Sequence, residues 1–135
     1  MDFNRFPDKK AVESQKDYLK SADLEGGDLS GADLSDANLV YADLSGANLN
    51  GANFTGANLT GANLSDVLAV GANFSNANLY AADFDDAFLS DANFTGANLD
   101  AANLSDAEDL RGVIGINHKP RLHFLDDDED MGMDT

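Results

Sequence analysis

Between Ala22 and Asp106 the chain repeats a five-residue word, as in GANFTGANLTGANL at 51–64. A period of five belongs neither to a helix nor to a plain strand. Leu or Phe returns every five residues from Leu24 to Leu104, with one gap at Ala69. Ala stands two residues before it, except at Gly27 and Val67, and Asn or Asp lies between them, except at Leu68 and Phe88. Seventeen words run without a slip in phase.

In an extended chain, residues two apart point to the same side. Ala and Leu/Phe of one word therefore share a face, and the Asn or Asp between them points outward. The two residues that follow are commonly Ser/Thr and then Gly, Asp or Asn, which suit a corner. Each word becomes one side of a coil with its apolar pair inside. Phe54, Phe74 and Phe94 recur at twenty, as do the outward exceptions Leu68 and Phe88. Like residues in register imply four words per coil, a square solenoid. At about 4.8 Å between coils, seventeen words give just over four coils, roughly 20 Å tall. The word DVLAV at 66–70 places Val67 at the small position and Ala69 at the large one. That exchange conserves volume, so the coil is expected to continue, with a local bulge as the alternative.

The run A-[ND]-[LF]-x-x over residues 22–106 resembles the pentapeptide-repeat family. The resemblance implies an all-β solenoid, a right-handed quadrilateral β-helix. Some members of that family resemble B-form DNA and inhibit or protect DNA gyrase. This chain is shorter than those members, without obvious inserted loops or a strongly apolar C-terminal dimer helix.

A solenoid needs covers at its ends. Residues 1–21 form the expected N-terminal cap: at 8–20, Ala11, Val12, Tyr18 and Leu19 fall near one helical face behind Pro7. Residues 107–125 form the expected C-terminal cap. Ser105 and Glu108 make an S-x-x-E start signal, with Leu110, Val113 and Ile114 at helical spacing. The sequence thus reads as about four coils with short helical caps at both termini. The acidic run at 126–135 is expected to be a disordered tail.

The net charge is −17, carried unevenly. Residues 22–106 hold thirteen acids and no Lys or Arg. Such a surface disfavours direct nucleic acid binding, which needs cationic side chains, and suits a basic protein surface. No apolar run is long enough to cross a membrane, and no secretory signal precedes the repeat, so a cytoplasmic location is the default. There are no cysteines, hence no disulfide or thiolate metal site. His118 and His123 read as surface residues rather than a catalytic or metal pair. Asp126, Asp128 and Asp130 lack the Gly and the terminal Glu of a calcium loop. No catalytic residue, cofactor or metal is expected, and the chain does not read as an enzyme.

Sorting the words by side separates the surface chemistry. The first face gathers Asp23, Glu25, Asp43, Asp66, Asp83, Asp85, Asp86 and Asp106. The second turns Leu68, Val70 and Phe88 outward, a candidate interface to a partner, to a second copy or to the chain's own tail. The third carries Ser35, Thr55, Ser75 and Thr95, and the fourth stacks Asn38, Asn58, Asn78 and Asn98, whose amides are expected to bond between coils. The leading expectation is a non-catalytic acidic interaction module, monomer or homodimer, with an unidentified protein partner. The alternatives are a DNA mimic acting on an enzyme such as DNA gyrase, and a structural or ice-surface protein.

Overall fold

In a computed structural model of the chain, residues 1–116 are described. Outward residues pair in parallel with the residue twenty further on, in four columns. Asp23, Asp43, Asn63, Asp83 and Asn103 form the first column, and Asp28, Asn48, Leu68, Phe88 and Glu108 the second. Asp33, Asn53, Asn73 and Asn93 form the third, and Asn38, Asn58, Asn78 and Asn98 the fourth. Twenty residues are four words, so four sides close one coil. Only three extended residues separate consecutive corners, so each side contributes one bridge and the described residues contain no longer strand.

The corners explain the remaining two positions of the word. The Ala N–H donates back to the Leu carbonyl across four residues, as Ala32 does to Leu29 at 3.0 Å. The third residue of each turn is left-handed, with φ between 58° and 73° at all seventeen positions from Ser21 to Ala101. Eight of them are Gly and five are Asp or Asn, the residues that enter this region at least cost.

Inward residues from Ala22 to Leu104 are buried, except the half-buried Ala97. Phe54, Phe74 and Phe94 stack at 5.0 and 5.1 Å between ring centres, and Phe84 meets Phe74 and Phe94 edge-on. Val67 and Ala69 are both fully buried, and the ladder runs through them: Leu68 N–H donates to Ala47 and Phe88 N–H to the Val67 carbonyl. The coil continues there without a bulge.

The N-terminal end is closed by α1 (Lys9–Glu13) and a single 3-10 turn at Lys16–Tyr18, shorter than the helix expected over 8–20. The Asp8 carboxylate caps α1 by accepting from Ala11 N–H at 2.9 Å. Phe6, Val12 and Leu19 are fully buried, but Tyr18 is exposed and Ala11 only half-buried. The segment also satisfies the open edge of the first coil. The Lys16 carbonyl accepts from Asn38 N–H, and the Glu13 carboxylate accepts from Asp33 N–H at 2.8 Å.

The expected C-terminal helix does not form within residues 105–116. Ser105 donates its hydroxyl to Asn103, and Glu108 pairs with Phe88, so the chain winds on. One extra residue, the left-handed Asp109, shifts the register, and Ile114 pairs with Asn93 at a separation of twenty-one. Leu110 and Val113 reflect that displaced word rather than a helical face. Residues 117–125 of the expected cap, the tail at 126–135, His118, His123 and the Asp126–Asp130 run lie outside the described residues.

Candidate interaction faces

The outward Asn or Asp of each word is first a local structural element. Its side-chain oxygen accepts the N–H two residues on, and often the Ser or Thr hydroxyl there as well. Asn53 Oδ1 takes Thr55 N–H at 3.0 Å and its hydroxyl at 2.6 Å, and Asp43 does the same with Ser45. This bond pins the start of each corner. The expectation of amide ladders between coils is therefore largely corrected: on the fourth face only Asn98 to Asn78 appears, at 3.5 Å. Most Asn oxygens on these columns serve their own word.

Where the capping residue is Asp, the bond also tunes its charge. The hydroxyl and N–H of Ser30 hold the Asp28 carboxyl below its ordinary pKa, and Ser35 does so for Asp33, with help from Lys16.

The first face brings its acids together in two groups. Near the N-terminal end, carboxylate oxygens of Asp23, Glu25 and Asp43 lie within 4.8 Å of one another. The Met1 ammonium stands 3.8 Å from Asp23 and donates to the Glu25 carbonyl, so this group already faces a cation. Further along lie Asp83, Asp85, Asp86 and Asp106. Asp85 Oδ1 is shielded from solvent and has no hydrogen-bond partner. Loss of hydration pushes the Asp85 carboxyl above its ordinary pKa, and a hydrogen bond with Asp106 and the charges of Asp86, Asp106 and Asp83 add to the rise. Asp66 is exposed on the same corner as Asp86, one coil below.

On the second face Leu68, Val70 and Phe88 are 42%, 40% and 41% exposed. Leu68 and Phe88 are paired neighbours in adjacent coils. On the third face the Ser35 and Thr55 hydroxyls donate to Asp33 and Asn53, and Thr55 Oγ1 lies 3.4 Å from the Ser75 hydroxyl.

These features define a short four-sided β-solenoid with one carboxylate-rich side and one partly apolar side. The family model of pentapeptide repeats matches in eight copies, over residues 18–56, 37–72, 57–96 and 72–108. The chain belongs to the pentapeptide-repeat family, whose members fold as right-handed quadrilateral β-helices. Among solved structures it is similar to the pentapeptide repeat protein Rfr23 from the cyanobacterium Cyanothece 51142. The two are 34% identical with a TM-score of 0.60, covering 72% of this chain and 62% of that one. It is also similar to a pentapeptide repeat protein of the Arabidopsis thaliana thylakoid lumen, with 34% identity, a TM-score of 0.49, and 67% and 62% of the two chains covered. HetL, from Nostoc sp. strain PCC 7120 and involved in heterocyst differentiation regulation, is 42% identical with a TM-score of 0.42, over 69% of this chain and 40% of that one. The chain thus spans less than two thirds of the length of these relatives. No curated protein sequence matches it.

Proposed function

We propose that the protein is a non-catalytic acidic interaction module whose first face meets a basic surface on another protein. The observation that carries this reading is the crowding of Asp83, Asp85, Asp86 and Asp106 around a shielded, unpartnered carboxylate oxygen. Like charges so placed repel one another, and a cationic partner would relieve the repulsion. The absence of Lys and Arg from residues 22–106 leaves the rod no cation of its own among these repeats.

The test is calorimetric titration with poly-lysine at low and moderate salt. A variant carrying Asp66→Asn, Asp83→Asn, Asp85→Asn and Asp86→Asn is compared with one of equal net charge carrying Asp33→Asn, Asp36→Asn, Asp91→Asn and Asp100→Asn. A focused site loses far more affinity in the first variant, with a weaker salt dependence. Equal losses would reduce the face to general acidity and sink the reading.

DNA mimicry toward an enzyme such as DNA gyrase would use the same carboxylates. The first column reads Asp23, Asp43, Asn63, Asp83, Asn103, so its charge does not return at every coil, which favours the basic-protein reading. Inhibition of gyrase supercoiling by the parent, lost in the first variant, would replace that reading with mimicry. An ice-surface role draws no support from the third face, where Thr55 Oγ1 is bound to Asn53.

A further inference from the structure

Leu68 and Phe88 stand where the repeat needs an acceptor. In this column Asp28 and Asn48 cap the N–H of Ser30 and Asn50. A hydrocarbon side chain cannot, and Val70 N–H turns instead to the side chain of Asn50 in the coil below. Each substitution forgoes the acceptor that the outward residue supplies to its own word, and at Leu68 the coil below has to provide it. Neither residue recovers that loss by burial in the core, since both keep about two fifths of their surface exposed. Val70, beside them, replaces the usual Ser or Thr and is exposed to the same degree. Three neighbouring departures from the word, all toward apolar side chains and all outward, are not explained by the stability of the solenoid.

The surroundings specify what would cover them. Asp66 and Asp86 each lie two residues before an apolar position, at left-handed corners of the same edge, and both are exposed. Asp106 lies at the next corner of that edge, and Glu108 pairs with Phe88 at the top of the column. The apolar stripe is thus bordered by carboxylates on one side and at one end. We infer that the edge between the first and second faces is a docking surface for a segment of another protein that presents an aliphatic or aromatic side chain between Lys or Arg residues. Its apolar side chain would seat on Leu68, Val70 and Phe88, and its cations would face Asp66, Asp86 and Asp106. This rests on the interaction-module reading and adds the place and the partner's side-chain pattern. A purely cationic surface would leave the stripe wet, and a purely apolar one would leave the carboxylates desolvated and unpaired.

The test uses the full chain and short fluorescent peptides in anisotropy titrations. One peptide alternates Lys with Leu, and a control alternates Lys with Ser. The variant Leu68→Asn/Phe88→Asn restores the residue the repeat itself uses there, so it keeps the fold, which circular dichroism checks. The parent is expected to prefer the Lys–Leu peptide, and this variant to bind it about tenfold more weakly while binding Lys–Ser as before. Asp66→Asn/Asp86→Asn is expected to lower affinity for both peptides and flatten the salt dependence.

Equal binding of the two peptides by the parent would overturn the docking surface. If Lys–Ser binding still depended on first-face carboxylates, the interaction-module reading would survive alone. No binding of either peptide, with or without residues 117–135, would remove both. Concentration-dependent dimerisation in sedimentation, abolished by Leu68→Asn/Phe88→Asn, would assign the stripe to a second copy and overturn the proposal. So would Lys–Leu binding that appears only after residues 117–135 are removed, because the chain would then cover its own stripe.

Discussion

Asp86 N–H donates to the Asp106 carbonyl at 3.2 Å, which holds Asp106 close to Asp85, and the Asp85 carboxyl loses hydration there among Asp83, Asp86 and Asp106. Folding therefore favours the protonated form of Asp85. The folded pKa lies above the unfolded value, so the stability this gives is present below the unfolded pKa and is lost as pH rises through the folded one. Asp85→Asn is expected to raise the melting temperature at neutral pH and to leave it nearly unchanged in acid. Thermal melts of parent and variant across pH check this. A lower melting temperature for the variant at neutral pH would refute it.

Asp28 and Asp33 carry the opposite sign. Their folded pKa values are lowered by the Ser30 and Ser35 hydrogen bonds. The stability they give is present above the unfolded pKa of about 3.9 and lost as pH falls through the folded values. Asp28→Asn/Asp33→Asn keeps the acceptor oxygen but removes the charge. The variant is expected to show a shallower loss of stability on acidification, measured by urea midpoints between neutral and acid pH.

The Asn cap can be weighed at Asn53, whose Oδ1 takes both bonds from Thr55. Asn53→Ala is expected to cost about 1 kcal/mol in urea denaturation, and Asn53→Asp much less because the acceptor stays. Equal costs would show that the side-chain oxygen contributes nothing.

Phe74 touches all three of its ring neighbours, stacked on Phe54 and Phe94 and edge-on to Phe84. Phe74→Ala is expected to cost about 3–5 kcal/mol, with Phe74→Leu clearly milder because Leu fills most of the large inward positions, Leu34 in the same column among them. Denaturant midpoints for the two variants decide the order.

Gly115 and Gly71 separate two kinds of constraint. A Cβ on Gly71 would meet nothing within 4 Å, whereas on Gly115 it would collide with the backbone of Thr95 and Phe94. Gly71→Ala meets only the left-handed penalty, about 1–2 kcal/mol. Gly115→Ala must displace the last described turn. Hydrogen exchange at Phe94 N–H, which donates to Ile114, is expected to accelerate strongly in Gly115→Ala and little in Gly71→Ala.

Much of the solenoid was legible because its period is strict. The inward pairs, four words per coil, the Phe column and continuity through Val67 and Ala69 all follow from which residues recur at two, five and twenty. The Asn and Asp caps were legible too, and misread. The recurrent Asn-x-Ser/Thr spacing is the trace of a side-chain acceptor serving the residue two further on, not of ladders between coils. The one-residue shift at Asp109 left a mark as well: Leu110 and Val113 are each displaced by one from the phase of the words before them. Helical spacing and coil spacing overlap over so few residues, which is why that mark looked like a cap.

The sequence by itself determined the coil, because a five-residue period can be satisfied only by three extended residues and a corner, repeated with the same side inward. The tertiary structure alone decided what lies at each surface point. Phe6 is buried and Tyr18 exposed because the N-terminal segment folds across the first coil in one particular way. Gly27 lacks the usual Cβ at a point where Met1 approaches, its sulfur only 2.6 Å from where that atom would stand. Asp85 is half-buried with its Oδ1 shielded, while Asp86, its neighbour in the chain, is exposed. Burial and electrostatic coupling depend on residues brought together across coils, and a local pattern of residue types carries no record of those distances.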